Sequence, residues 1–157
     1  MNKKAVVWVS TVLYILISLA IIGIVLAAVN PRINSSRDKS IIEQTIIILN
    51  EIDENINFAA QTPGTRLKYE FKLSRGQIQI IGNKVIWTLE KSGYQYSEPN
   101  MIIKIGKISA LTTDENTVIL KLEYPGLNFN DLLIQAASNP YELFIENKGE
   151  GLEFTLA

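Results

Sequence analysis

Residues 5–29 read AVVWVSTVLYILISLAIIGIVLAAV, an apolar run with no charged side chain anywhere in it. At ~1.5 Å of rise per residue the run makes a helix of about 37 Å, enough to cross a ~30 Å hydrocarbon core with some tilt. A helix that is apolar all round needs cover on every side, and the remainder of a small chain is poorly placed to wrap it. The run therefore reads as a membrane-spanning segment or as a helix buried among like helices. Lys3 and Lys4 precede it, which keeps the short N-terminus cytoplasmic and sends the bulk of the chain outside. It is also longer than the ~7–15-residue apolar core of an ordinary secretory signal.

Working outward from that run, Asn30-Pro31 comes first. Proline lacks a backbone donor and crowds the preceding turn, so a kink or break is expected there. Helical spacing then resumes. Ile42, Ile46, Leu49, Ile52, Ile56 and Ala60 recur at steps of three and four among Glu43, Gln44, Asn50, Glu51, Asp53 and Glu54, one apolar stripe on a polar rod. Pro63-Gly64 ends it. Given a mild bend at Pro31, residues 5–60 form a single rod of roughly 84 Å.

Beyond Gly64 the period changes to two. Residues 66–73, RLKYEFKL, alternate without exception and predict a half-buried strand. Residues 77–81 and 84–90 flank Gly82-Asn83, the signature of a tight hairpin. Further strands are predicted at 102–108, 117–124, 141–146 and 152–156, with 130–137 read as a short helical or irregular excursion. About seven short strands with one apolar face each predict a compact antiparallel, sandwich-like head. The expected organisation is thus α+β: a basic leader at 1–4, a hydrophobic helix at 5–29, an amphipathic continuation at 30–62 and a β-rich head at 63–157.

The composition excludes much chemistry. The chain contains no Cys and no His, which removes disulfides, thiolate metal clusters and every triad that uses histidine as its base. A net charge of −1 supplies no basic field for nucleic acid. Gly106-Lys107 is not a phosphate loop, because Met101 stands where a glycine is required and Ile108 where Ser or Thr is. Asp53-Glu54 and Asp114-Glu115 are sequence neighbours, which point apart on a helix or a strand and do not converge on a substrate. Asn128, Asn130 and Asp131 cluster oxygen donors without the glycine and bidentate glutamate of a calcium loop. Tyr94 and Tyr96, beside Lys91, read as core packing in preference to a sugar-contacting patch. No cofactor, metal or catalytic residue is expected. Asn34-Ser35-Ser36 is an intact N-glycosylation sequon just outside the apolar run. Gly23-x-x-x-Ala27 offers a small-residue face for close helix approach.

The order of these elements resembles the type IV pilin superfamily, and most closely its archaeal pilins and archaellins. The residues that carry the resemblance are Lys3-Lys4-Ala5-Val6-Val7, running through Thr11-Val12-Leu13 to Leu26-Ala27-Ala28-Val29. It covers about the first 60 residues, and the head is similar only in being β-rich. Lys4 stands where many members have glycine, and Val9 where bacterial members have glutamate; archaeal members often lack that glutamate.

The resemblance implies cleavage between Lys4 and Ala5 by a prepilin peptidase and handling by a pilus assembly machinery. It further implies a homopolymer whose helices form the core of a cell-surface filament serving adhesion or motility. In that polymer Gly23, Ala27 and the Pro31 region would serve assembly, and Asn34 would carry a glycan. The alternative is a single-pass, membrane-anchored exported domain that binds a partner or a cell-wall polymer.

Overall fold

The computed structural model describes the backbone of residues 3–157 and the side chains of residues 8–157, Pro31 excepted. One helix, α1 (Lys3–Gln61), is followed by nine strands. In chain order these are β1 (Arg66–Phe71), β2 (Gln77–Gly82), β3 (Lys84–Leu89), β4 (Ile102–Ile105), β5 (Ile108–Thr112), β6 (Val118–Glu123), β7 (Phe129–Gln135), β8 (Tyr141–Asn147) and β9 (Leu152–Leu156). The class is α+β with a β-rich head.

α1 does not break at Pro31: residues on both sides stay helical. The proline deprives the ladder of one donor, and the continuous apolar run before it and the buried stripe after it hold the remaining turns. The helix ends where Gly64 takes a positive φ of 80°, a conformation that costs a residue with a Cβ but not glycine. The amide of Asn147 caps the end by donating from Nδ2 to the Ala59 carbonyl at 2.7 Å, which satisfies one of the carbonyls a helix end leaves open.

All nine strands join one sheet in the order β1-β8-β9-β7-β2-β3-β6-β5-β4. Every pairing is antiparallel except β7 with β9, which meet in parallel at Phe129 and Leu152. The sheet curls, so that β1, β8 and β9 from one wing and β5 and β6 from the other all reach α1. The layer facing the sheet is the helix, where the sandwich-like expectation had placed more strands.

The core joins Ile42, Ile46, Leu49, Ile52, Ile56 and Ala59 of α1 to Trp87, Leu120, Ile145 and Phe154 of the sheet. The stripe closes on Ala59, with Ala60 only half-buried. Ile42, Leu49, Ile52 and Ile56 are each 0% exposed, and full burial of such a side chain stabilises by about 1.5–3 kcal/mol.

Two strand expectations are corrected. Residues 102–108 are not one strand: Gly106, with φ of 60°, and Lys107 turn the chain between β4 and β5. Residues 130–137 are not a helical excursion but most of β7. The register between β2 and β7 shifts between Ile80 and Gly82. That bulge flips the inward parity along β7, so Phe129 and Ile134, five positions apart, both point inward. The Gly82-Asn83 hairpin forms as expected, with Ile81 opposite Lys84.

Candidate assembly and membrane interface

The outstanding surface of the molecule is the first half of α1. From Trp8 to Arg32 every described side chain is exposed, among them Trp8 at 76%, Tyr14 at 70% and Ile24 at 70%. A single apolar helix of this length could span a membrane. An apolar surface this extensive calls for lipid or protein cover. Gly23 and Ala27 lie within this bare region, one helical turn apart on one face. A Cβ added at Gly23 would meet nothing within 4 Å, so the position is open to a neighbour. The side chains of Lys4, Ala5 and Pro31 lie outside the described residues. Asn34 is described and exposed.

The bare half is coupled to the head through the other half of the same helix. Asp38, with its side chain 3% exposed, accepts hydrogen bonds from the Arg75 guanidinium and, at 2.7 Å, from the Gly93 amide. Arg75 lies in the β1–β2 connection and Gly93 in the β3–β4 connection, so one carboxylate ties the helix to two loops. About four turns further on, Asp53 accepts from the Tyr124 hydroxyl at 2.9 Å and pairs with Lys107 Nζ at 3.0 Å. Burial, and then the carboxylate of Asp53, push the Tyr124 hydroxyl well above the usual tyrosine range. Burial and Glu51 do the same to Tyr69 on β1. With Asn147 at the C-terminal end, the helix is fastened along its whole length inside the head.

Sequence reasoning missed these ties. One signal for Asp38 was present: stepping four residues back from Ile42 along the apolar stripe lands on it, so a charge sits where the stripe predicts burial. Its partners lie 37 and 55 positions away in the chain, beyond any periodicity argument.

The weaker candidates take structural roles. Asn130 donates from Nδ2 to the Phe154 carbonyl at 2.9 Å and accepts from the Phe154 amide at 2.6 Å, stitching β7 to β9. Asp114 accepts from the Asn100 amide at 2.6 Å, and Lys107 is held by Asp53. Tyr94 and Tyr96 pack edge to face at 6.3 Å against the core. Comparison with family models, curated proteins and solved structures finds no match for this chain.

Proposed function

We propose that this chain is the structural subunit of a surface filament of the type IV pilin kind, inserted in the membrane as a precursor and polymerised through the first half of α1. The observation that carries the reading is the division of one unbroken helix: one half is bare and apolar, the other is fastened inside the head. A plain membrane tether needs no rigid connection to its cargo. A polymer subunit does, because the helix that packs in the core must set where the head stands in the sheath.

Before assembly the bare half rests in lipid with Lys3 and Lys4 on the cytoplasmic side. In the filament, like helices replace lipid, which is tolerable because each satisfies its own backbone hydrogen bonds. Lys3 and Lys4 would be costly inside such a core, so the mature subunit begins at Ala5. The role is structural rather than catalytic, and adhesion or motility belongs to the polymer.

The test is electron microscopy of sheared surface material followed by N-terminal sequencing of its subunits. Thin filaments built from a chain that starts at Ala5 are expected. Filaments whose subunits retain residues 1–4 would overturn the processing step. Membranes rich in the protein without filaments would give the case to an anchored binding domain.

A further inference from the structure

Inside the head, one face of α1 stays uncovered by the sheet. Ile33, Arg37, Ser40, Gln44, Ile47, Glu51, Glu54 and Phe58 follow one another at steps of four and three, and all eight are exposed. Ile33, Ile47 and Phe58 are 57%, 58% and 58% exposed. Stepping back by fourteen from Arg37 reaches Gly23, so this stripe continues a face of the bare half.

The stripe is electrically polarised. All the helix's described cations beyond the apolar run, Arg32, Arg37 and Lys39, fall before residue 40, and residues 40–61 hold Glu43, Glu51, Asp53 and Glu54 with no Lys or Arg. Asp38 is taken by Arg75, Asp53 by Lys107, and Lys39 pairs with Glu43. Arg37, Glu51 and Glu54 form no ion pair among the described residues. The Tyr69 hydroxyl on β1 donates a hydrogen bond to Glu51.

We propose that this stripe docks a second, parallel copy of the same chain displaced by fourteen residues along the helix axis, so that Arg37 of one copy faces Glu51 of the other and Ile33 faces Ile47. The proposal rests on the filament reading and specifies the contact that reading leaves open. Fourteen residues are two heptads, so the facing positions return to one side, and the displacement is about 21 Å. Two copies sitting level in one membrane would instead set Arg37 against Arg37 and Glu51 against Glu51, a like-charge arrangement that rejects the wrong register. The same stripe thus disfavours level pairs in the membrane and favours stepped pairs once one copy has moved outward along its axis.

Charge reversal tests this in cells that make wild-type filaments. Arg37→Glu and Glu51→Arg should each cut filament yield by about tenfold, the change that ~1.4 kcal/mol carries, with membrane-associated protein unchanged in both and the head unfolding temperature unchanged in Arg37→Glu. The double variant should recover to within about twofold of wild type, because each copy again offers opposite charges at the same displacement. The absence of native cysteine permits a second readout in filaments mixed from Ile33→Cys and Ile47→Cys chains. Cross-links between 33 and 47 are expected there. Single reversals without effect, or cross-links of 33 to 33 and 47 to 47, would overturn the contact while leaving the filament intact. No wild-type filaments at all would remove the filament reading and this contact together.

Discussion

Between Trp8 and Val29 the helix carries no charge and every side chain is exposed; between Asp38 and Ala59 most apolar residues fall on one stripe and are buried, with Ile47 and Phe58 left exposed on the opposite face. Both stretches are α-helix and both are rich in Ile. What separates them is the distribution of charge. Residues 5–29 contain none, so nothing tells that half which way to face and any apolar surrounding will do. Residues 43–54 interleave acids with isoleucines, which assigns one face to the sheet and the other to water. The comparison teaches that a single helix can be half of a folded core and half an uncommitted surface, with the boundary written in side chains and not in the backbone.

The largest effect should come from separating the halves at the wrong place. A fragment of residues 64–157 lacks Ile42, Leu49, Ile52 and Ile56, each contributing about 1.5–3 kcal/mol of burial, a sum comparable with the 5–15 kcal/mol stability of a typical domain. It should fail to fold, whereas residues 36–157 should give a cooperative, soluble head. Dispersed amide resonances checked on both fragments decide it, and a well-folded 64–157 fragment would show that the stripe is dispensable.

Next in size is a matched pair of truncations. Leu49→Ala should destabilise the head by about 2–5 kcal/mol, the usual cost of a cavity in a filled core. Ile17→Ala, in the bare half, should leave head unfolding unchanged. Denaturant unfolding of the detergent-solubilised chain reads both, and equal effects would erase the distinction between the halves.

A smaller effect concerns the ties. Tyr124→Phe removes the hydrogen bond to Asp53 and should cost about 0.5–1.5 kcal/mol at neutral pH. Because the Tyr69 and Tyr124 hydroxyls are held above their ordinary value of 10.0, the folded state binds those protons more tightly than the unfolded one. The stabilisation is full below pH 10 and declines as pH rises beyond it, where the unfolded chain ionises and the folded chain does not. Unfolding followed from pH 8 to 11 should show a shallower decline in Tyr124→Phe than in wild type.

The smallest effect on the head, none at all, is expected for Gly23→Leu. The position is open and the run becomes more apolar, so insertion and head stability should hold. Filament yield should fall if a neighbouring helix sits there, since overpacking a tight contact typically costs ~1–3 kcal/mol. Unchanged yield would place Gly23 on a face turned away from neighbours.

Much of this is legible in the sequence. Charge absence marked the bare half, three-and-four spacing marked the stripe, and Gly82-Asn83 marked its hairpin. β7 was not legible, because Asn130 and Asp131 are poor strand formers and the bulge beside them breaks the alternation on which strand reading depends. The β4–β5 turn was hidden because Gly106-Lys107 lacks the Asn or Asp of a common two-residue turn. The ties were invisible for a different reason: Asp53 meets Tyr124 across 71 positions, and only the folded sheet brings them together.

The unbroken passage of α1 into the head also has a mechanical meaning. A pull on the head along the helix axis is resisted at Asp38, Asp53 and Asn147 simultaneously, and the embedded half would have to slide along the strands that cover its buried face before any one tie could be peeled off alone. The head is thus gripped in shear, the stiffer geometry. The rod has one softer point. At Pro31 a backbone hydrogen bond is missing by covalent necessity, on the border between the bare and the clothed halves, so elastic strain gathers there and spares both the packed stripe above it and the apolar surface below.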